Sequence, residues 1–234
     1  MTALRDSTVL ITGANGGLGR SFVREALARG ARKVYATART PQEWDDARVV
    51  PLALDIDSIE SVEAAAAVAT DTTILINNAG VSDGGRRVLS IPVDDARRIL
   101  GTNVVAQLAM TQRFAPVLAD NGGGAVVNIH SALSWLGTGV YASSKAAFWS
   151  LSNALRVELR EQGTHLVGAH LGYTDTPMTE RLDVPKENPD DIVAAIFDGL
   201  EAGDYEVLAD EASRATKAAL SAPLEALYPA LARV

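Results

Sequence analysis

Seven short β-branched or aliphatic runs recur along the chain with helix-length stretches between them, and this alternation constrains the fold more than any other feature. The runs are TVLIT (8–12), KVYAT (33–37), VVPLAL (49–54), TILIN (73–77), AVVNI (125–129), HLVGAHL (165–171) and YEVLA (205–209). Several are apolar at consecutive positions, the pattern of strands covered on both faces. Between them, LGRSFVREALARG has helical spacing and stops at Gly30, a candidate C-terminal glycine. SIESVEAAAAVA opens with Ser58 as a candidate N-cap. Two longer amphipathic stretches follow, DDARRILGTNVVAQLAMTQRFAPVLA and YASSKAAFWSLSNALRVELREQG, the second ending at Gly163. Strand followed repeatedly by helix requires right-handed crossovers and a parallel sheet with helices on both faces. The expectation is an α/β fold in which residues 1–234 form one domain around a doubly wound sheet of about seven strands, with no linker, repeat or low-complexity block.

Composition narrows what such a fold does. Hydrophobic residues make up 47% of the chain, enough for a buried core. There is no cysteine, which removes thiol catalysis, disulfides and Cys-ligated zinc together. A formal net charge of −8 argues against general affinity for nucleic acid or anionic lipid. MTALRDSTVLITGANGG reaches its glycines too soon for a secretory leader, and no apolar run is long enough to span a bilayer. The expectation is therefore a soluble, cytoplasmic protein. His130, His165 and His170 lack the spacing of metal ligands and have no paired carboxylates beside them, so no metal site is expected.

In doubly wound sheets ligands bind beyond the C-terminal strand ends, so the strand exits are the places to look. The first strand exits into TGANGGLGR, in which Gly13, Gly17 and Gly19 are spaced G-x-x-x-G-x-G directly before a helix. Glycine lets the backbone turn tightly and approach a pyrophosphate, which then sits on the helix N-terminus. The plainer reading is a glycine-rich turn without a ligand. At the second strand end, Thr37 stands where an acidic residue would bond a ribose 2′-hydroxyl, and Arg39 follows. Arginine suits a 2′-phosphate, which points to NADP(H) as the preferred cofactor with NAD(H) possible; a solvated surface arginine is the alternative. Asp55 is placed to touch an adenine edge, and an Asp there is equally a common helix-start residue.

The chain resembles the short-chain dehydrogenase/reductase family in its single-domain, Rossmann-like branch. The resemblance rests on TGANGGLG, on NNAG (77–80), on Asn103, on Ser131, on YASSK (141–145) and on GYTDTPM (172–178), all in order and each at a strand exit or its helix. It implies an NAD(P)(H)-dependent oxidoreductase that interconverts a ketone or aldehyde and its alcohol, working as a homodimer or homotetramer on a small-molecule substrate. By the same resemblance Asn15, Leu18, Ile56, Asn78, Ala79, Gly80, Gly172, Thr174 and Thr176 join the glycines, Thr37, Arg39 and Asp55 in contacting the cofactor. Two departures stand out. Only nine residues separate Ser131 from Tyr141, a shorter spacer than the family usually has, which brings Ser134 in as a substitute. The usual proline-glycine after the sixth strand is Leu171-Gly172.

The chemistry expected of these residues is a proton transfer coupled to hydride transfer. A free phenol, with pKa about 10, is a poor base at neutral pH. Lys145, one helical turn beyond Tyr141, places an ammonium on the same face and stabilises the phenolate. The resemblance implies that Lys145 also grips the nicotinamide ribose, that Ser131 bonds the substrate oxygen and that Asn103 holds a water linking Lys145 to solvent. Trp135, Leu133 and Leu136 line the substrate pocket or cover a sheet end; Phe148 and Trp149 are packing or subunit-contact residues. Two other functions stay open: a non-catalytic dinucleotide sensor on the same fold, and an epimerase or dehydratase of nucleotide sugars. The latter usually carries a larger C-terminal region than the residues that follow Thr176 here. Apolar faces around 104–118 and 146–159 would pair across a two-fold axis if both helices lie on one side of the sheet.

Overall fold

In the computed structural model, which describes residues 2–231, the seven expected strands are all present and all parallel. They are β1 (Thr8–Thr12), β2 (Lys33–Ala38), β3 (Val49–Ala53), β4 (Ile74–Asn77), β5 (Ala125–Ile129), β6 (His165–His170) and β7 (Glu206–Leu208). Their order across the sheet is β3-β2-β1-β4-β5-β6-β7. The chain runs outward from β1 to β3, returns to β4 beside β1, and then builds the other side. That reversal opens the crevice at the β1 and β4 exits.

Helices α1 (Leu18–Ala28) and α6 (Pro189–Ala202) cover one face of the sheet. Phe22 and Phe197 meet edge to face there, 5.4 Å apart, over Val9, Ile11, Ile76 and Val127. The other face is covered by α2 (Ile59–Val68), α4 (Ala106–Asp120) and α5 (Val140–Arg160), whose Val62, Met110, Phe114 and Leu155 pack on Leu10, Leu75 and Val126. The two long helices therefore do lie on one side. Ser58 caps α2 by accepting the Ser61 N–H, and Gly30 follows α1 with φ 87°.

Two local features depart from a plain reading of the pattern. The long helix expected over 94–119 is α3 (Val93–Leu100) and α4 joined by a five-residue π-helical turn, Gly101–Val105. Such wide turns cluster at functional sites, and this one carries Asn103. After β7, α7 (Glu211–Ala218) and the single turn α8 (Leu224–Leu227) fold back toward the β5 and β6 exits. No helix among the described residues is long and apolar enough to cross a membrane.

Candidate active site

A cleft of about 770 Å³ runs along the C-terminal strand ends from the β2 exit to the β5 and β6 exits. Gly13 and Gly17 line one end, with φ of 68° and 52°, a region that side-chain-bearing residues rarely enter. Gly19 does not face the cleft; a Cβ there would lie 2.1 Å from the Gly13 carbonyl oxygen, so it is what lets α1 start against its own loop. The β4 exit is locked to β1: the Thr12 hydroxyl accepts the N–H groups of Asn78 and Ala79, each at 2.9 Å, and Asn78 Nδ2 donates to the Thr12 carbonyl at 2.8 Å. Gln107 Nε2 reaches the Ala79 carbonyl from α4 at 2.7 Å. Asn15 ties the glycine loop to the β2 exit through the Thr40 carbonyl, at 2.7 Å.

Arg39, Thr40, Asp55, Ile56, Gly80, Gly172, Thr174 and Thr176 all border the same cleft, as does Leu18. Arg39 is exposed and has no carboxylate partner among the described residues. Asp55 accepts the Asp57 N–H at 3.1 Å, so it shapes the turn into α2 while also bordering the cleft. Thr37 is a correction. The strand continues one residue further than the sequence suggested, and the Thr37 hydroxyl points inward to donate to the Ile11 carbonyl at 2.9 Å. Ala38 takes its place on the lining.

The residues present fit a dinucleotide. The glycine loop leaves an open approach to the N-terminus of α1, and a Cβ at Gly16 would meet nothing within 4 Å. Four buried polar atoms on lining residues have no hydrogen-bond partner among the described residues: Asn15 Oδ1, Thr174 Oγ1 and both ring nitrogens of His130. Buried polar atoms are normally satisfied, so these atoms are open to a ligand.

At the other end, Ser131, Tyr141 and Lys145 line the cleft together. The short spacer does not displace Ser131. Its hydroxyl accepts the Leu133 N–H at 3.1 Å, which leaves its own proton free to donate into the cleft. Ser134 is turned away, its hydroxyl accepting the Ser131 N–H at 3.3 Å. The spacer is held by an aromatic stack that the sequence reading left undecided: Trp135 lies on His170 with ring centroids 4.0 Å apart and nearly parallel, covering the end of β6 and not lining the cleft. His170 in turn contacts the Ser131 carbonyl through Nδ1 at 3.1 Å. Lys217 stands over the Trp135 ring and pairs with Glu206 at 2.6 Å. Leu171-Gly172 is held by Asp210 of the α7 cap, which accepts the Gly172 N–H.

Burial dominates the electrostatics of the pair. Burial pushes the Tyr141 phenol up to about 12, with the Ser131 hydroxyl pulling the other way. Burial lowers Lys145 to about 8, and its Nζ donates to the Ile129 carbonyl at 2.8 Å. As it stands the phenol is an acid carrying its proton. The Asn103 side chain is fully engaged within the protein. Both of its amide N–H groups are used, on the Val81 carbonyl and the Ser144 hydroxyl, and Oδ1 accepts the Val81 N–H, each at 2.9 Å. Its side chain fastens the β4 exit to α5 through the π-helical turn.

Sequence reasoning missed Asp83, His170 and Asp210, which carry no motif. The signal available for Asp83 was its place six residues after Asn77, in the segment leaving the fourth strand.

Comparison with known proteins gives a consistent result. A family model described as short chain dehydrogenase matches residues 7–187. An NADP-dependent 3-hydroxy acid dehydrogenase of Schizosaccharomyces pombe is 28% identical over 90% of this chain and 93% of its own length. A short chain dehydrogenase from Burkholderia cenocepacia, solved in complex with NADP, superposes with a TM-score of 0.91 at 33% identity, over 99% of this chain and 100% of that one. One from Burkholderia phymatum, in complex with NAD, shares the fold with a TM-score of 0.81 at 23% identity, over 92% and 93% of the two chains.

Proposed function

This chain belongs to the short-chain dehydrogenases, an oxidoreductase family, and on that premise we propose that it is an NADP(H)-dependent enzyme that reduces a small or medium neutral ketone or aldehyde to its alcohol. The observation that carries the reading is the single cleft joining the glycine loop and Arg39 at one end to Ser131, Tyr141 and Lys145 at the other. Arg39, free of a carboxylate partner, would take a 2′-phosphate; Gly13, Gly17 and the start of α1 would hold the pyrophosphate, with the Thr174 hydroxyl as a further donor and Asn15 Oδ1 as an acceptor for a ribose hydroxyl. When bound, the nicotinamide supplies the hydride to the carbonyl carbon.

The protein's own part is to hold the carbonyl oxygen and give it a proton. Ser131 donates a hydrogen bond to that oxygen, and Tyr141, protonated across the neutral range, donates the proton. Lys145 lies on the next turn, with its Nζ 5.8 Å from the Tyr141 ring centre. It titrates near neutrality and is the adjacent group from which the phenol regains its proton. Neutral substrates are favoured because the cleft lining carries two cationic side chains, Arg39 at the nucleotide end and Lys145 beside Tyr141, while burial keeps His130 neutral, and so offers no further cation for a carboxylate. The exposed Val105 and Val157 on the α4 and α5 side support a homo-oligomer built on that face.

The test follows NADPH and NADH oxidation with ethyl acetoacetate and with free acetoacetate. The expected outcome is faster turnover of the ester with NADPH, and an Arg39→Ala variant that loses about tenfold or more in NADPH affinity while NADH binding holds. Preference for the free acid overturns the neutral-substrate reading. Equal loss for both cofactors removes Arg39 from the phosphate. Cofactor binding without turnover of any carbonyl would favour the sensor.

A further inference from the structure

The turn that carries Tyr141 is held from outside its own helix. Helix α5 follows Gly139, which has no side chain to cap it, and Tyr141 is its second residue. Asp83, in the segment leaving β4, supplies the missing acceptor: Oδ2 takes the Tyr141 N–H at 3.0 Å, while Oδ1 takes the Gly85 N–H at 2.9 Å. The residue is 6% exposed. The nearby Arg86 does not pair with its carboxylate; Nε goes to the Asp83 carbonyl at 3.0 Å and Nη1 to Asp95 at 2.6 Å. What compensates the buried charge is the positive end of a 21-residue helix and the two N–H groups. A Cβ at Gly139 would lie 2.8 Å from Asp83 Oδ2, so the glycine at the helix entry is what admits the carboxylate.

We propose that Asp83 is a positioning residue for Tyr141, a carboxylate from the β4 exit that sets the first turn of α5 and fixes where the phenol stands in the cleft. The same segment begins with the residues that border the nucleotide end, Asn78 to Val81, so Asp83 mechanically joins the two ends of the cleft. The inference rests on the reading of Tyr141 as proton donor. The charged and polar groups facing the phenol come from four elements: Lys145 on α5, Asp83 from the β4 exit, Tyr173 from the β6 exit and the Ser131 hydroxyl from the β5 exit. Asp83 and Tyr173 add to the upward push of burial, and Ser131 opposes it.

Two variants separate the mechanical from the electrostatic role. Asp83→Asn keeps an oxygen for the Tyr141 N–H and removes the charge; Asp83→Ala removes both. Each is compared with the parent and with Tyr141→Phe for the pH profile of NADPH-dependent reduction of ethyl acetoacetate, and for hydrogen exchange at the first turn of α5. For Asp83→Asn the alkaline limb of kcat should move down by about half a unit to one unit, with the KM for NADPH unchanged. For Asp83→Ala, kcat should fall about tenfold or more and the Tyr141 amide should exchange faster. If Asp83→Ala fails to fold, Asp83→Asn carries the test. Parent-like profiles and parent-like exchange in both variants, with Tyr141→Phe inactive, overturn the inference and leave the function reading standing. A Tyr141→Phe variant as active as the parent overturns that reading and the electrostatic half of the inference with it, and the exchange rates then decide the mechanical half.

Discussion

The two ends of the cleft are built in different ways. At the nucleotide end the ties run mainly between motif residues, Asn78 and Ala79 on Thr12 and Gly19 against Gly13, with the Thr40 carbonyl holding Asn15 and Gln107 holding the Ala79 carbonyl. Most of these contacts involve the backbone, so the shape follows from chain geometry. At the catalytic end Asn103 holds Ser144, but the other motif residues are held by residues that belong to no motif. Asp83 holds Tyr141, His170 holds the Ser131 carbonyl, Asp210 holds Gly172, and the Tyr228 hydroxyl accepts the Gly137 N–H at 2.6 Å from the last described turns. A backbone-built end leaves little room for variation, whereas an end propped by side chains is retuned by changing the props. This division suits a fold that keeps one cofactor chemistry while changing substrates.

The comparison breaks most visibly if chemistry and binding fail together. Replacing Tyr141 by Phe removes the proposed proton donor and leaves the nucleotide end untouched. The expected result is a fall in kcat of ~10²–10⁴-fold with NADPH affinity, measured by fluorescence titration, held within about twofold. A parallel loss of affinity would mean that the ends are not separable. A smaller effect comes from the backbone-built end. Gly19→Ala forces a Cβ onto the Gly13 carbonyl and should cost about 1–3 kcal/mol in urea unfolding and weaken NADPH binding, whereas Gly16→Ala, which meets nothing, should leave stability unchanged. Equal damage at both glycines would show that backbone clearance is not what sets this end.

The same division explains what could be read from the sequence. All seven strands, the parallel sheet and the two-sided helix cover follow from consecutive apolar runs and helical spacing, because burial on both faces leaves its mark in residue type. The glycine loop was legible because positive φ and close approach restrict the choice of residue. Ser131, Tyr141 and Lys145 could be named, but not their electrostatic state. Spacing puts an ammonium near a phenol, while the depth of burial that raises one and lowers the other is a property of the assembled cleft. Thr37 was misplaced because strand ends are the least determined part of a periodic pattern, and one residue of slip turns a side chain to the other face. His170 and Asp210 were invisible since nothing in their local sequence separates a prop from an ordinary polar residue, and Asp83 offered only its place in the segment leaving the fourth strand.

The smallest expected effect is the most direct check on a prop. His170 is fully buried, its Nδ1 on the Ser131 carbonyl and its Nε2 3.6 Å from Glu206 Oε1. Burial lowers it to about 4, below the ordinary histidine value of 6.5. Between those values the unfolded chain takes up a proton that the folded chain refuses, so its contribution to stability is whole above about pH 6.5 and is lost as the pH falls toward 4. His130, likewise pushed down by burial, adds a contribution of the same sign. His170→Phe keeps an aromatic ring under Trp135 but removes both the titration and the hydrogen bond. Urea unfolding at about pH 7 and about pH 5 should therefore show a smaller acid loss than in the parent, reduced and not abolished because His130 remains. The lost bond to Ser131 should cost turnover a few-fold, on the scale of one net hydrogen bond of about 0.5–1.5 kcal/mol. An unchanged acid slope with unchanged kcat would make His170 a packing residue, and the spacer before Tyr141 would then owe its place to the Trp135 stack alone.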